Sequence, residues 1–346
     1  MTSLPERFAQ QAEQCRRHGS PLTGAVLAGA ASELRRRGPV RDLLAPLADD
    51  PPGTVPSLRF AGALHRLVLE RRAPALALHY PSVGGTAPPE AAWPAAREVV
   101  ATTPDLAALV QRPVQTNEVG RSAVLLGGLR HVVAQTRLPV RLLEVGASAG
   151  LNLRVDRFAY EVGDEVLGDP ASPVRLPQPW TGALPPAVDV EVVERRGCDA
   201  AAIDPTTAEG RLALSSYVWA DDTARFARLR GALQVAAEVP AVVDDVPASA
   251  WLAEHLADPV PGVVTVVWHS VVWQYLSPQE RTASRAALLA AAERATPAAP
   301  LALLSMEPER TGPATYRFAV HLTTWPGGAR RRVADAQGHG PPVAWH

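Results

Sequence analysis

From Val140 onward, short runs rich in β-branched residues alternate with helix-length stretches, and this alternation restricts the fold more than any other feature. Candidate strands lie at 140–145, 188–193, 239–243, 263–268 and 301–306, and candidate helices at 223–238, 248–256 and 278–294. Short runs that are apolar nearly throughout suit strands buried on both faces. Strands alternating with helices predict a parallel sheet covered on both sides. Residues 316–324, Trp325-Pro326-Gly327-Gly328 and 329–334 then read as an antiparallel hairpin. Residues 157–187 are rich in Pro and Gly and read as an inserted loop or small hairpin. Upstream, residues 1–136 read as mainly helical. Phe8, Ala12 and Cys15 share one helical stripe, and Val124, Leu125, Leu129, Val132 and Val133 share another. Pro39, Pro46, Pro51-Pro52 and Pro88-Pro89 punctuate that segment. The expected organisation is a helical domain or lid at 1–136 followed by an α/β domain at 137–346.

Composition removes several function classes. The 34 basic residues are all Arg. Without Lys there is no Schiff base, no P-loop lysine and no kinase-type lysine, which excludes pyridoxal phosphate enzymes, class I aldolases, Walker-type NTPases and protein kinases. A single isoleucine, Ile203, and abundant Ala, Arg, Pro and Gly mark the coding bias of a GC-rich genome. The net charge of -1 supplies no field to draw the chain onto nucleic acid or an acidic membrane, so neither is an expected partner. Cys15 and Cys198 are too few for a disulfide framework. The nine His residues show no His-x-His or His-Glu-x-x-His spacing, so no metal site is signalled. No signal-peptide core and no run of 18 apolar residues occurs, and the expected location is the cytoplasm.

The chemistry centres on Val140-Arg141-Leu142-Leu143-Glu144-Val145-Gly146-Ala147-Ser148-Ala149-Gly150-Leu151-Asn152. An apolar strand empties into a loop of small residues, and a helix-compatible run follows. A strand, a tight turn and a helix N-terminus make a ligand site, and small residues let the backbone approach that ligand. Two chemistries compete for it. Glu144-x-Gly146-x-Ser148-x-Gly150 resembles the first motif of S-adenosylmethionine-dependent methyltransferases, with Ser148 where the middle Gly usually stands. Gly146-x-Ser148-x-Gly150 also matches the nucleophile elbow of α/β-hydrolases. On the first reading Glu144, Gly146, Ser148, Gly150 and Asn152 hold the cofactor, and Gly150→Val blocks binding while leaving the fold intact.

Other candidates cluster at strand ends. An acidic residue about 20 residues beyond the glycines normally bonds the ribose hydroxyls. Asp199 is the best candidate, displaced by the insertion, with a solvated turn residue as the alternative. Asp245 is suited to an adenine amino group, or equally to capping the next helix. His269 is a candidate general base or a buried structural His. Trp273 and Tyr275 either line the pocket or belong to the core. Asn117, Glu118 and Arg121 open the helix before the first strand, as lid residues or as a plain cap in which Thr116 or Asn117 stands at the N-cap. Glu307 is a candidate for the pocket wall. Together with the motif loop, Thr116-Asn117-Glu118-Val119-Gly120-Arg121, Glu194-Arg195-Arg196-Gly197-Cys198-Asp199 and His269-Ser270-Val271-Val272-Trp273-Gln274-Tyr275 resemble the bacterial family catalogued as domain of unknown function 2332. The resemblance spans nearly the whole chain and implies a Rossmann-like, methyltransferase-type fold.

The sequence therefore favours transfer of a methyl group from S-adenosylmethionine to an O or N nucleophile of a small molecule, with His269, Tyr275 and Glu118 as catalytic candidates. An esterase using Ser148, with Asp244 or Asp245 and His269 or His321, is the first alternative. It requires several strands before the elbow, where this chain reads as helical. A non-catalytic nucleotide-binding or regulatory protein is the second.

Overall fold

The computed structural model describes residues 2–50, 53–312 and 315–346. Its contacts divide the chain into two compact units, Met1–Thr116 with Thr207–Ala227, and Asn117–Thr206 with Arg228–His346. The first unit contains α1 (Leu4–Arg17), α2 (Pro21–Glu33), α3 (Pro39–Leu44), α4 (Pro56–Leu69), α5 (Pro74–Ala77), α6 (Ala92–Thr102) and α7 (Leu106–Gln111). Helix α8 (Ser122–Thr136) lies in the second unit, although the sequence groups it with the helical segment. Helix α9 (Ala208–Ser216) returns to the first, and the division falls within α10 (Thr223–Glu238). Helices α11 (Ala248–His255) and α12 (Pro278–Ala292) belong to the second unit. Pro21, Pro39, Pro56 and Pro74 each stand at the start of a helix, where the missing N–H costs nothing and the fixed φ is already helical. The core of the first unit gathers Phe8, Leu27, Leu44, Phe60, Leu64 and Leu106.

The second unit carries β1 (Val140–Val145), β2 (Ala159–Val162), β3 (Glu165–Gly168), β4 (Arg175–Pro177), β5 (Trp180–Gly182), β6 (Val192–Asp199), β7 (Val242–Asp245), β8 (Val264–Ser270), β9 (Leu301–Arg310), β10 (Tyr316–Trp325), β11 (Arg331–Gln337) and β12 (Gly340–Trp345). Nine strands form one mostly parallel sheet in the order β5-β12-β11-β10-β9-β8-β1-β6-β7. Strands β7, β6, β1, β8 and β9 run parallel, while β9 through β12 form an antiparallel meander. The expected hairpin is present as β10–β11, with β12 added beyond it. From β1 the chain builds outward through β6 and β7 on one side, then crosses to β8 and β9 on the other. The order thus reverses between β1 and β8, and a crevice outside their carboxyl ends is where open α/β sheets bind ligands.

Residues 157–187 are more than a loop. Strands β2, β3 and β4 form a separate three-stranded sheet, and β5 joins the main sheet parallel to β12. A second difference bears directly on the site. No α-helix follows the Gly146–Gly150 loop. Residues Leu151–Arg157 form a 3-10 stretch interrupted at Arg154, whose φ is -101°. The expected α-helix N-terminus, with its dipole, is therefore absent beside the loop.

Candidate site at the carboxyl ends of β1 and β8

Side chains alternate across a strand. Leu143 and Val145 pack with Trp251, Leu252 and Leu288 in the core beneath α11 and α12. Glu144 therefore faces the opposite side of the sheet. Trp268, its register partner on β8, does the same beside the core residue Val267. Glu144 is 2% exposed, and its Oε2 has no hydrogen-bond partner. Trp268 Nε1 and Asn152 Oδ1 are likewise buried without one. Burial pushes the Glu144 carboxyl up to about 8. The neighbouring Trp268 indole N–H pulls hardest against that rise, the Asp199 carboxylate adds to it, and Arg121 and Arg154 also oppose it.

The loop after β1 is held by its own protein. Gly146 N and Ala147 N donate to Cys198 O at 2.9 and 3.0 Å. Ser148 N donates to Asp199 Oδ2 at 2.9 Å, and Ala201 N donates to Asp199 Oδ1 at 3.0 Å. Asp199 thus clamps the loop and is not a solvated turn residue, although each oxygen keeps a second lone pair for a ligand. Gly146, Ser148 and Gly150 all have left-handed φ, at 71°, 54° and 65°. A Cβ on Gly146 would lie 2.4 Å from Val272 Cγ2, and one on Gly150 would lie 2.8 Å from Val243 Cγ2. Packing within the protein demands these glycines, so Gly150→Val disturbs the loop itself and cannot serve as a clean test of ligand binding.

The polar segment before α8 closes the other side. Asn117 Oδ1 accepts from Leu151 N at 2.8 Å, and Asn152 Nδ2 donates to Glu118 O at 3.2 Å. Glu118, 3% exposed, accepts from Gly120 N at 3.0 Å and lies 3.2 Å from His339 Nδ1. The cap at this start is therefore Glu118, not Thr116 or Asn117. Arg121 donates to Gly338 O at 3.1 Å and to Ser270 O at 3.2 Å. Asn117, Glu118 and Arg121 are thus built into the ends of β1 and β8, and the solvent-facing capped helix is excluded.

At the end of β8, His269 Nδ1 lies 2.8 Å from Glu307 Oε1. The same oxygen accepts from Val272 N at 3.1 Å and Trp273 N at 3.2 Å. The His269 ring stacks on Trp273, with centroids 5.0 Å apart and an interplanar angle of 26°. The sequence names His269 and Glu307 separately; the parallel register that sets Ser270 against Met306 brings them together. Trp273 joins this cluster. Tyr275 does not: it is 67% exposed and does not belong to the core.

Asp245 is exposed, and α11 begins without it, so the capping role is not realised. Its neighbour Asp244 binds Arg196 at 2.9 Å and Trp251 Nε1 at 2.7 Å. Two residues went unassigned in the sequence. Trp268 belongs beside Glu144, and its place in Trp268-His269-Ser270 at a strand end was the available signal. Arg154 is buried and donates to Gly150 O at 2.7 Å and Val239 O at 2.8 Å. Its bond to Gly150 is local, but its bond to Val239 is set by tertiary structure and nothing in the local sequence announces it.

The elbow geometry lacks its supports. Among the described residues no strand precedes β1, and no α-helix follows the loop. The acid beside His269 is Glu307, whereas Asp244 is tied to Arg196 and His321 lies 3.7 Å from Glu309.

The chain is thus a mixed α/β protein whose mostly parallel sheet gathers buried polar side chains at the ends of β1 and β8. It belongs to the family described as "Uncharacterized protein conserved in bacteria (DUF2332)", which matches residues 5–345. No curated protein and no solved structure matches it.

Proposed function

We propose that the chain is an S-adenosylmethionine-dependent methyltransferase that binds its cofactor between the Glu144–Asn152 segment and the end of β8. The observation that carries this reading is the buried Glu144 carboxyl, whose Oε2 is unpartnered beside a left-handed, glycine-containing loop at the sheet's switch point. Leaving such an atom unpaired costs about 1–3 kcal/mol, and more for a charge. A ligand with an ammonium group relieves that cost, and S-adenosylmethionine carries one. The unpartnered Asn152 Oδ1 fits the same polar ligand end. Asp199 retains lone pairs for ribose hydroxyls, and the exposed Asp245 is open to the adenine amino group. The parallel order β7-β6-β1-β8-β9 is the order of the first five strands in a Rossmann-type sheet, which supports the same reading.

When bound, the cofactor supplies an electrophilic methyl group on sulfur. The protein's contribution is to orient an acceptor in line and exclude water. The near-neutral chain favours a small-molecule acceptor over a nucleic acid. Calorimetry with S-adenosylmethionine and S-adenosylhomocysteine tests the proposal. Saturable binding that is lost in Glu144→Gln supports it, and no heat at millimolar ligand overturns it.

A further inference from the structure

The group at the end of β8 carries an inference about the acceptor. His269 is 6% exposed, and its orientation is fixed from three directions. Its own strand holds its backbone, the Trp273 ring covers it, and Glu307 on β9 meets Nδ1 at 2.8 Å. Glu307 is fixed in turn. Its Oε1 accepts from two consecutive backbone amides, Val272 N and Trp273 N, in the turn entered through Val271 at φ 52°. Three donors converging on one carboxylate oxygen specify an acceptor there, so Nδ1 carries a proton, and in the base form of the ring Nε2 is the free nitrogen. Its Nε2 then carries the lone pair, and it makes no hydrogen bond to a described residue. An oriented imidazole with a carboxylate behind it and an open nitrogen in front is the arrangement that general bases use.

We infer that His269 is the general base of this site, that Glu307 is its positioning residue, and that the acceptor brings its own proton as a hydroxyl or an N–H. The acceptor class rests on the methyl-transfer reading; the state of the dyad does not. In the step, the acceptor's O–H or N–H bond breaks and the proton passes to Nε2. The acceptor's electron pair forms the bond to the methyl carbon. The carbon–sulfur bond breaks with its pair remaining on sulfur, which leaves S-adenosylhomocysteine. The imidazolium that results keeps its Nδ1–H on Glu307. A carboxylate or a thiolate acceptor gives up no proton and has no use for this pair.

Two measurements on the full chain test the dyad without the cofactor. Nitrogen-15 NMR of histidine-labelled protein is expected to show His269 as the Nδ1–H tautomer in the wild type. Glu307→Gln is expected to lose that uniform state, and Glu307→Asp to recover part of it. An Nε2–H tautomer in the wild type overturns the assignment, whatever the variants do. Diethyl pyrocarbonate, which acylates open neutral imidazole nitrogens, is expected to label His269 in the wild type and to do so several-fold more slowly in Glu307→Gln. An unlabelled wild-type His269 overturns the claim that Nε2 is presented to an acceptor. Cofactor calorimetry is read separately. Binding with a failed dyad discards the acceptor class alone, and a sound dyad without cofactor binding discards the methyltransferase reading alone.

Discussion

The two units differ in how completely they satisfy their buried polar groups. In the helical unit, Arg59 is 6% exposed and bonds Val110 O, Asp50 and Gln111. His65 in α4 uses both ring nitrogens, with Ser216 O at 3.2 Å and Ser82 Oγ at 2.8 Å. Asp221 accepts from Ser20 Oγ and Leu22 N. Every buried side-chain polar atom found without a partner among the described residues lies in the sheet unit. Four of the residues concerned, Glu144, Asn152, Trp268 and Trp273, stand around the ends of β1 and β8. Satisfied polar groups hold a fold in one arrangement, and unsatisfied ones store an uncompensated desolvation cost that a ligand removes. The cluster marks the ends of β1 and β8 as the place where a ligand would remove the most of that cost.

Mutations should break or sharpen this contrast, and the largest effect belongs to the helical unit. Arg59→Ala is expected to destabilise the protein by about 3 kcal/mol, because it strands Asp50 and empties a packed site. Denaturant midpoints would read this. Glu144→Gln should show the opposite pattern: stability unchanged within about 1 kcal/mol or improved, with S-adenosylmethionine binding weakened at least about tenfold. A large loss of stability in Glu144→Gln would place that carboxylate among the architectural groups.

The two units also predict opposite pH slopes. Burial lowers His65 from 6.5 to about 4. Between those values the unfolded chain holds the extra proton, so the His65 contribution is complete above 6.5 and is lost as pH falls toward 4. Burial raises Glu144 from 4.5 to about 8. There the folded chain holds the extra proton, so stability is greatest below 4.5, falls as pH rises through that window, and stays lowered above 8. Unfolding midpoints from pH 4 to 9 should show His65→Gln flattening the acid limb and Glu144→Gln the alkaline limb. The smallest change expected is for Ser148→Gly, which relieves a left-handed φ of 54° and should alter stability by no more than about 1 kcal/mol while cofactor binding persists. Loss of cofactor binding there would assign the Ser148 side chain to the ligand.

Much of the sheet unit was legible because its strands are short apolar runs bounded by turn residues. Strand β1 falls where the pattern puts it, and β8 and β9 differ mainly in running further toward the site. The start of β6 was not legible. Val188-Asp189-Val190-Glu191-Val192 alternates apolar and acidic residues, and only pairing with β1 decides that the strand begins at Val192. Strand β12 was missed for a physical reason, since Pro341-Pro342 argues against an interior strand. The ladder accommodates it through a register shift between Asp335 and Gln337, which leaves both prolines outside the paired positions. The apolar run after Gly150 has a helical composition, but Asn117 takes the Leu151 amide and Arg154 leaves helical geometry, so long-range partners override local propensity. The individual site residues were readable as types at strand ends. Their pairings, Asn117 with Leu151 and His269 with Glu307, needed the fold.

Strand β5 has no neighbour except β12 in the main sheet, so Trp180–Gly182 is paired only through Val343–Trp345. During synthesis the ribosome releases the first of these segments well over a hundred residues before the second. Until the second arrives, a nascent chain carries an open strand that nearby chains are free to pair with. Completing this edge is thus a late, long-range event, of the kind that slows folding and raises the demand for chaperones.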